Sequence, residues 1–494
     1  MSTLRLDRAA WPFLAALLIA AVARLLYPFD GLFGQDAFAY FRFARAIWPH
    51  LLHGAPLPQL FWPRGYPIVV AALLPLTGGG PFAGQLVSAL ALAWTAAASL
   101  LLTAELDRRG GGVPDGLAPA VAGFSVAGSG IVLRSSQVVM ADGLAIACAA
   151  TALWCFARHL RERRGGWLVA AAVAVAFGAV TRWQIGLLAL PLGAAAALDA
   201  RARPAPLAWG AWILAGLAGL AVVIPQLWSA HGVPYALEQH EWLQRWSPLN
   251  AFRRDFVTRE GPTHHLLPIG VFYLARTGWP DALFPTIAVL ALLGALALVR
   301  ARRAVELALL VGWPAINWAF ISGIPYENPR FLWPALPSLG ALAGFGARAL
   351  AARFPARRLL LALALVASLA AGLALAAREH GRTVARKNAD RTLVDWVDAR
   401  VPPGTTLLTH GGGMMIEHYG RTRVHETFLL TPAELPSLLA RECPCFELEN
   451  PTEIEAEQRG PGPARFFAAL QAQAGLTPVA SRGPLILYRV GAVR

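Results

Sequence analysis

The chain has 494 residues, 56% of them hydrophobic, with a mean hydropathy of +0.50 and only 15% charged residues. Soluble domains carry about 25% charged residues, so the composition excludes an ordinary soluble protein. A formal net charge of +14 does not point to nucleic acid, because the arginines gather in short loops between apolar spans rather than along one face.

Apolar stretches of roughly 17–25 residues are long enough to cross a bilayer as helices. None alternates polar and apolar residues as a barrel strand would. In chain order, eleven spans are expected: Trp11–Tyr27, Phe82–Leu106, Leu117–Leu133, Gly143–Ala157, Trp167–Val180, Trp183–Leu198, Leu207–Ser229, Ala282–Val299, Val305–Ser322, Phe331–Leu350 and Leu359–Ala377. Basic residues fall on alternate connections: Arg108-Arg109, Arg158 to Arg164, Arg201 with Arg203, Arg300 to Arg303, and Arg348 to Arg358. With Arg5 and Arg8 they place the N-terminus in the cytoplasm, and an odd number of spans leaves the C-terminus outside. The first span lacks a small-residue cleavage site and is read as a retained helix. Richness in Arg and Ala over Lys suits a GC-rich prokaryote. The expected location is therefore a prokaryotic cytoplasmic (inner) membrane, crossed many times, with the C-terminal part periplasmic or extracellular.

The expected fold is an α-helical polytopic membrane protein with a small C-terminal α/β domain: 1–380 in the membrane, with external loops 28–81 and 230–281, and 381–494 soluble. In the first external loop, Ala37, Tyr40, Phe41, Ala44, Ile47 and Trp48 recur at helical spacing, with Arg42 and Arg45 off the stripe. That pattern predicts a helix lying in the interface. Tyr66 to Leu76 is apolar but too short to span, and is expected at the interface or re-entering. Beyond Asn388, helices are expected over Leu393 to Ala399 and Ala464 to Ala474, and strands over Thr405 to Thr409 and Pro484 to Val490. Gly411-Gly412-Gly413 lacks nucleotide-binding spacing and reads as a loop. Cys148 and Cys155 share one helix face and read as packing, while Cys443-Pro444-Cys445 is too tight for an easy disulfide and matches no zinc spacing.

Asp36 directly precedes the interfacial helix, and Asp142 opens the fourth span in the same way. Each can be a helix cap or a catalytic acid, and the roles are compatible, since a capping carboxylate still presents its second oxygen outward. Arg64, Arg134, Arg182 and Arg330 are single arginines in apolar external turns. Any one alone reads as snorkelling to headgroups. Four on the side of Asp36 suit an anionic ligand such as a phosphate or diphosphate. Glu327 lies three residues before Arg330 and could pair with it. In the long loop, Glu238, His240, Glu241, His264 and His265 could bind a divalent metal or an acceptor, although no recognised ligand spacing is present.

Taken together these residues resemble the C-type (GT-C) glycosyltransferases, most closely the branch of lipid A aminoarabinose transferases and protein O-mannosyltransferases. The resembling tracts are Gly34-Gln35-Asp36-Ala37-Phe38-Ala39-Tyr40, Trp62-Pro63-Arg64-Gly65-Tyr66-Pro67, Met140-Ala141-Asp142, Thr181-Arg182, Glu238-Gln239-His240-Glu241 and Glu327-Asn328-Pro329-Arg330-Phe331. The resemblance runs from the first span to about Leu350. One departure is a single acid, Asp36, where many relatives carry an adjacent pair, so metal dependence stays open.

The resemblance implies transfer of a sugar from a polyprenyl-phosphate donor on the external face, with inversion, to a lipid, glycan or protein acceptor. It implies Asp36 as general base and Asp142 orienting the acceptor, with Arg64, Tyr66, Arg182, Glu327 and Arg330 around the donor. His240, His264, His265 and Arg134 remain for an acceptor or loop site, and His240 with Glu238 for a metal. A departing phosphate is already a stable anion and needs cations rather than a general acid. A flippase of lipid-linked sugars is the first rival. It would favour paired repeats and ionisable groups near the bilayer midplane, and the sequence shows neither. A non-catalytic membrane scaffold is the second.

Overall fold

The computed structural model describes residues 6–58, 60, 62–111, 116–203, 209–230, 246–258, 261–280, 282–410, 412–427, 430, 433–450 and 463–491. In chain order the helices that build the membrane region are α1 (Leu6–Leu26), α2 (Gln35–His53), α3 (Gly65–Leu73), α4 (Phe82–Arg109), α5 (Leu117–Ala127), α6 (Gly130–Ser135), α7 (Ala141–Glu162), α8 (Gly165–Ala179), α9 (Ala189–Ala202) and α10 (Trp209–Ala230). A hairpin of β1 (Asp255–Thr258) and β2 (Gly261–His264) follows. Then come α11 (Ile269–Thr277), α12 (Phe284–Arg300), α13 (Ala304–Leu310), α14 (Gly312–Ser322), α15 (Leu336–Arg353) and α16 (Arg358–Asp398).

The chain is an α-helical polytopic membrane protein: among the described residues eight helical stretches are long and apolar enough to cross a bilayer. The other three expected spans fall on shorter apolar helices, α5, α8 and α12, of 11, 15 and 17 residues. The span expected over Leu117–Leu133 is broken. Gly128 ends α5, and Ser129 turns extended and caps α6 by accepting from the Val132 amide at 3.3 Å. That break delivers Arg134 to the same end of the bundle as Asp142.

At the centre runs α4, buried along nearly its whole length. Its hydroxyls are satisfied within the helix: Thr95 donates to the Ala91 carbonyl at 2.9 Å, Ser99 to Thr95 at 2.7 Å and Thr103 to Ser99 at 2.8 Å. A hydroxyl surrounded by apolar neighbours needs such a partner. Where α12 crosses α15, a Cβ on Gly294 would strike the Leu342 carbonyl and one on Gly346 the Leu290 carbonyl. Small residues are what let two backbones meet this closely.

The loop arginines at the far end of α4 and α7 are not simply solvated. Arg109 joins two buried carboxylates, Asp199 at 2.6 Å and Glu306 at 2.8 Å. Arg163 reaches Asp199 at 2.6 Å, Arg303 reaches Glu306 at 3.0 Å, and Arg348 pairs with Asp107. Replacing Arg109 by Met is expected to lower stability by about 3–5 kcal/mol, because two buried acids lose a shared partner. A melting curve in detergent measures it, and the loss should be far larger than for Arg42→Met at an exposed pair.

The C-terminal region carries β3 (Thr406–Thr409), α17 (Gly413–Tyr419), β4 (Arg423–Glu426), α18 (Leu435–Glu442), β5 (Cys445–Glu449), α19 (Pro463–Ala474), β6 (Leu476–Arg482) and β7 (Leu485–Val490). Strand order is β4-β3-β5-β7-β6, with β3 parallel to both neighbours and the last two strands antiparallel. Alternating residues of β3 and β5 face opposite ways. Leu408 and Cys445 pack with Leu438 and Phe466 on one side, and Leu407 and Phe446 with Val397 and Ile416 on the other. The helix expected over Leu393 to Ala399 is the tail of α16, which runs unbroken for 41 residues. At 1.5 Å per residue that is roughly 60 Å, twice the hydrocarbon thickness, so its first half is enough to span and its second half stands outside. Cys443 and Cys445 do form a disulfide, contrary to expectation, because the chain between them brings their Cα atoms to 4.3 Å.

Candidate active site

The helix α2 starts after Gly34, whose φ of 73° suits glycine and whose carbonyl accepts from the Ala37 amide at 3.2 Å. Gly34 is therefore the cap, and Asp36 sits in the first turn without a capping hydrogen bond. Asp142 is likewise the second residue of α7, behind Met140, and caps nothing. Both carboxylates thus stand at helix N-termini with their oxygens free for other partners.

The partners are arginines. A turn of 3-10 helix over Pro329–Ala335 begins at Asn328, whose Oδ1 accepts from the Arg330 amide at 3.1 Å and from its Nε at 3.3 Å. That aims the guanidinium between the two acids: Nη2 donates to Asp36 Oδ2 at 3.1 Å, and Nη1 lies 3.7 Å from Asp142 Oδ2. Nη1 also donates to Met140 Sδ at 3.0 Å. Arg182, in the turn between α8 and α9, pairs with Asp142 from the other side, its guanidinium 5.1 Å from the Phe331 ring centroid. Burial and the neighbouring Arg330 pull the Arg182 guanidinium down to about 10. Burial, with Asp36 beside it, raises the Tyr40 phenol. The site is thus a poorly hydrated place where cation and acid compete for each other.

Asp36, Asp142 and Arg330 line a cavity of about 700 Å³. Of the other residues expected at a site, Arg134 and Glu327 also line it. Arg64, Tyr66 and Arg182 do not, although Arg182 is joined to the lining through Asp142. Arg64 lies over the Phe43 ring at 5.3 Å, and its amide donates to Gln226 at 3.1 Å. Tyr66 is fully buried, because α3 lays it against α4, where its hydroxyl donates to the Gly84 carbonyl at 2.9 Å. His264 is an exposed hairpin residue 2.7 Å from Asp255, and His265 stacks on Phe256 at 4.0 Å, so neither joins the cavity. Glu238 and His240 lie outside the described residues. Among the described residues no three His, Cys, Asp or Glu side chains form a metal-ligating group.

Sequence reasoning missed Arg276 of α11 and the wall made by Glu379, His380, Thr383 and Arg386 of α16. For the α16 residues the available signal was their helical spacing directly after an apolar span. A second, apolar groove of about 330 Å³ lies between α3, α4, α7 and α8, lined by residues such as Val69, Leu73, Leu90, Trp94, Leu144 and Phe177.

Solved structures share this architecture. The chain matches ArnT from Cupriavidus metallidurans bound to undecaprenyl phosphate with a TM-score of 0.64 at 15% identity, over 97% of this chain and 98% of that one. It matches the Archaeoglobus fulgidus oligosaccharyltransferase in complex with Zn and sulfate with a TM-score of 0.59 at 11% identity, over 97% and 73%. AglB of the same organism, in complex with an inhibitory peptide and a dolichol-phosphate, gives 0.55 at 12% identity, over 97% and 74%. No family model and no curated protein matches the sequence. The chain shares the fold of these structures over nearly its whole length.

Proposed function

We propose that the protein transfers a sugar from a polyprenyl-phosphate donor to an acceptor at the external face of a prokaryotic cytoplasmic membrane, with inversion at the anomeric carbon. The observation that carries this reading is the arrangement in which Arg330 reaches both Asp36 and Asp142 in one cavity, with Arg182 closing the row. Undecaprenyl phosphate in ArnT and dolichol-phosphate in AglB, proteins of the same fold, support a lipid phosphate as ligand. The apolar groove offers room for part of a prenyl chain, and Arg64, at the head of α3 that walls it, supplies a cation for an incoming phosphate.

The chemistry follows from the charges. Arg330 satisfies Asp36 by donating to its Oδ2. A phosphate draws the guanidinium toward itself and frees the carboxylate oxygen to accept a proton from the acceptor hydroxyl or amine. The acceptor attacks the anomeric carbon, and the bond from that carbon to the phosphate oxygen breaks. The electron pair leaves with the phosphate and is held by Arg182 and Arg330. Asp142, 2% exposed between two guanidinium groups, orients them and fixes the geometry on the acceptor side. The disulfide between Cys443 and Cys445 suits an oxidising compartment for the C-terminal region.

Two measurements test the reading. Vesicles containing the protein should release polyprenyl phosphate from a radiolabelled lipid-linked sugar, whereas a flippase would move the intact donor and release none. Polyprenyl phosphate at about a hundredfold over its Kd should stabilise the purified protein by about 2.7 kcal/mol, read as a rise in melting temperature. Arg182→Met should remove most of that rise, and a rise unchanged in Arg182→Met would break the assignment.

A further inference from the structure

Six residues before Leu32, the chain leaves α1 and enters the loop that carries Asp36, and this loop is gripped from outside the bundle. Lys387 of α16 is 3% exposed. Its Nζ donates to the Leu32 carbonyl at 2.7 Å and to the Tyr419 hydroxyl at 2.5 Å, and lies 3.9 Å from Asp30 Oδ1. Tyr419, which ends α17, donates in turn to Asp30 Oδ2, while Asp30 Oδ1 accepts from the Leu32 amide at 3.0 Å. The ammonium also sits over two rings, Phe38 of α2 at 4.7 Å and Tyr419 at 4.0 Å. His418 packs tilted on Phe38 at 5.6 Å and edgewise on Phe41 at 5.7 Å, which is why a helix with one expected apolar stripe is buried on a second side.

A buried lysine is costly unless every donor finds an acceptor. Here burial draws Lys387 down to about 8, against the opposing pull of Asp30 and Asp390, with Arg391 adding to the fall. It therefore remains mostly charged at neutral pH. The position matters because Lys387 follows Arg386 directly, and residues 379–386 are one wall of the cavity. Phe33 to Asp36 line another part of the same cavity, and Lys387 is bound to the loop just ahead of them.

We propose that Lys387 is a positioning residue that latches the C-terminal region onto the loop carrying Asp36 and so holds two walls of the cavity at a fixed spacing. This assigns to the C-terminal region a role in the membrane-embedded site. It goes beyond the transfer reading, and its main test does not need turnover.

Full-length protein in lipid nanodiscs is compared with Lys387→Met, Tyr419→Phe and the double variant Asp30→Asn/Lys387→Met by hydrogen–deuterium exchange. Lys387→Met should speed exchange at least tenfold in peptides covering 27–41 and leave those covering 88–104 unchanged. Tyr419→Phe should give a smaller rise in the same peptides. The double variant should exchange more slowly than Lys387→Met, since it no longer strands the Asp30 carboxylate. With a lipid-linked sugar as substrate, Lys387→Met should lower kcat at least tenfold and leave KM for the donor within twofold. A wild-type chain inert toward lipid-linked sugars would sink the transfer reading while the exchange measurement still decides the latch. Unchanged exchange in 27–41, or a rise spread evenly over the bundle, overturns it. Should Lys387→Met not fold, unchanged exchange in Tyr419→Phe does the same.

Discussion

Asp36→Asn is expected to reduce sugar transfer about 10³-fold, the middle of the range for loss of a general base. The amide keeps the shape of the carboxylate but carries no negative charge and has no basic oxygen. Arg330 loses one of its two acids and keeps Asp142 at 3.7 Å, so the bundle and polyprenyl-phosphate binding should survive. Binding should even tighten slightly, because the phosphate no longer competes with Asp36 for the guanidinium. The check is a pair of measurements on one preparation: initial rate with a labelled lipid-linked sugar, and Kd for polyprenyl phosphate. Normal turnover would exclude Asp36 as base. Lost turnover together with lost lipid binding would make it a structural residue instead.

Arg330→Met should be at least as damaging, for a different reason. It removes the one cation among the described residues that contacts both Asp36 and Asp142, leaving two acids facing one cavity with only Arg182 beside Asp142. Loss of a fixed charge at the leaving group costs about 10²–10³ in rate. Loss of a shared ion-pair partner at this partly exposed position should lower stability by about 2 kcal/mol, below the full-burial case. Arg330→Lys tests the geometry. A single ammonium cannot accept orientation from Asn328 and point one donor at each carboxylate, as the planar fork does. It should therefore restore part of the melting temperature and little of the rate. Equal rescue of both would mean that only net charge matters here.

Much of this site was legible because polar residues in apolar surroundings are costly and need a reason. Asp36, Asp142, Arg182 and Arg330 stood out on that ground, and they meet. The cap reading of Asp36 failed on a local detail: Gly34, with a positive φ that suits glycine, becomes the cap two positions earlier. Tyr66 falls outside the cavity because a short apolar helix has no exposed polar face to fix its rotation, and tertiary packing turns that residue into the core. The wall from α16 was hidden by composition. The change from apolar to polar after Ala377 reads as the end of a helix, yet nothing between Arg378 and Asp398 breaks one: there is no proline, and Gly381 is tolerated against Tyr27. Polarity marked where the bilayer stops. It did not mark where the backbone turns.

That uninterrupted rod has a mechanical consequence. Its lower half is sized by the acyl chains around it, and its upper half is both a flank of the cavity and the seat of the β-sheet. A lipid matrix too thin for the apolar segment makes such a rod lean, at a cost of fractions of a kcal/mol per ångström. A lean of ten degrees about the bilayer surface carries a point roughly 15 Å higher sideways by about 2.5 Å. Acyl-chain length in the host membrane thereby becomes a control on how far the reacting groups stand apart.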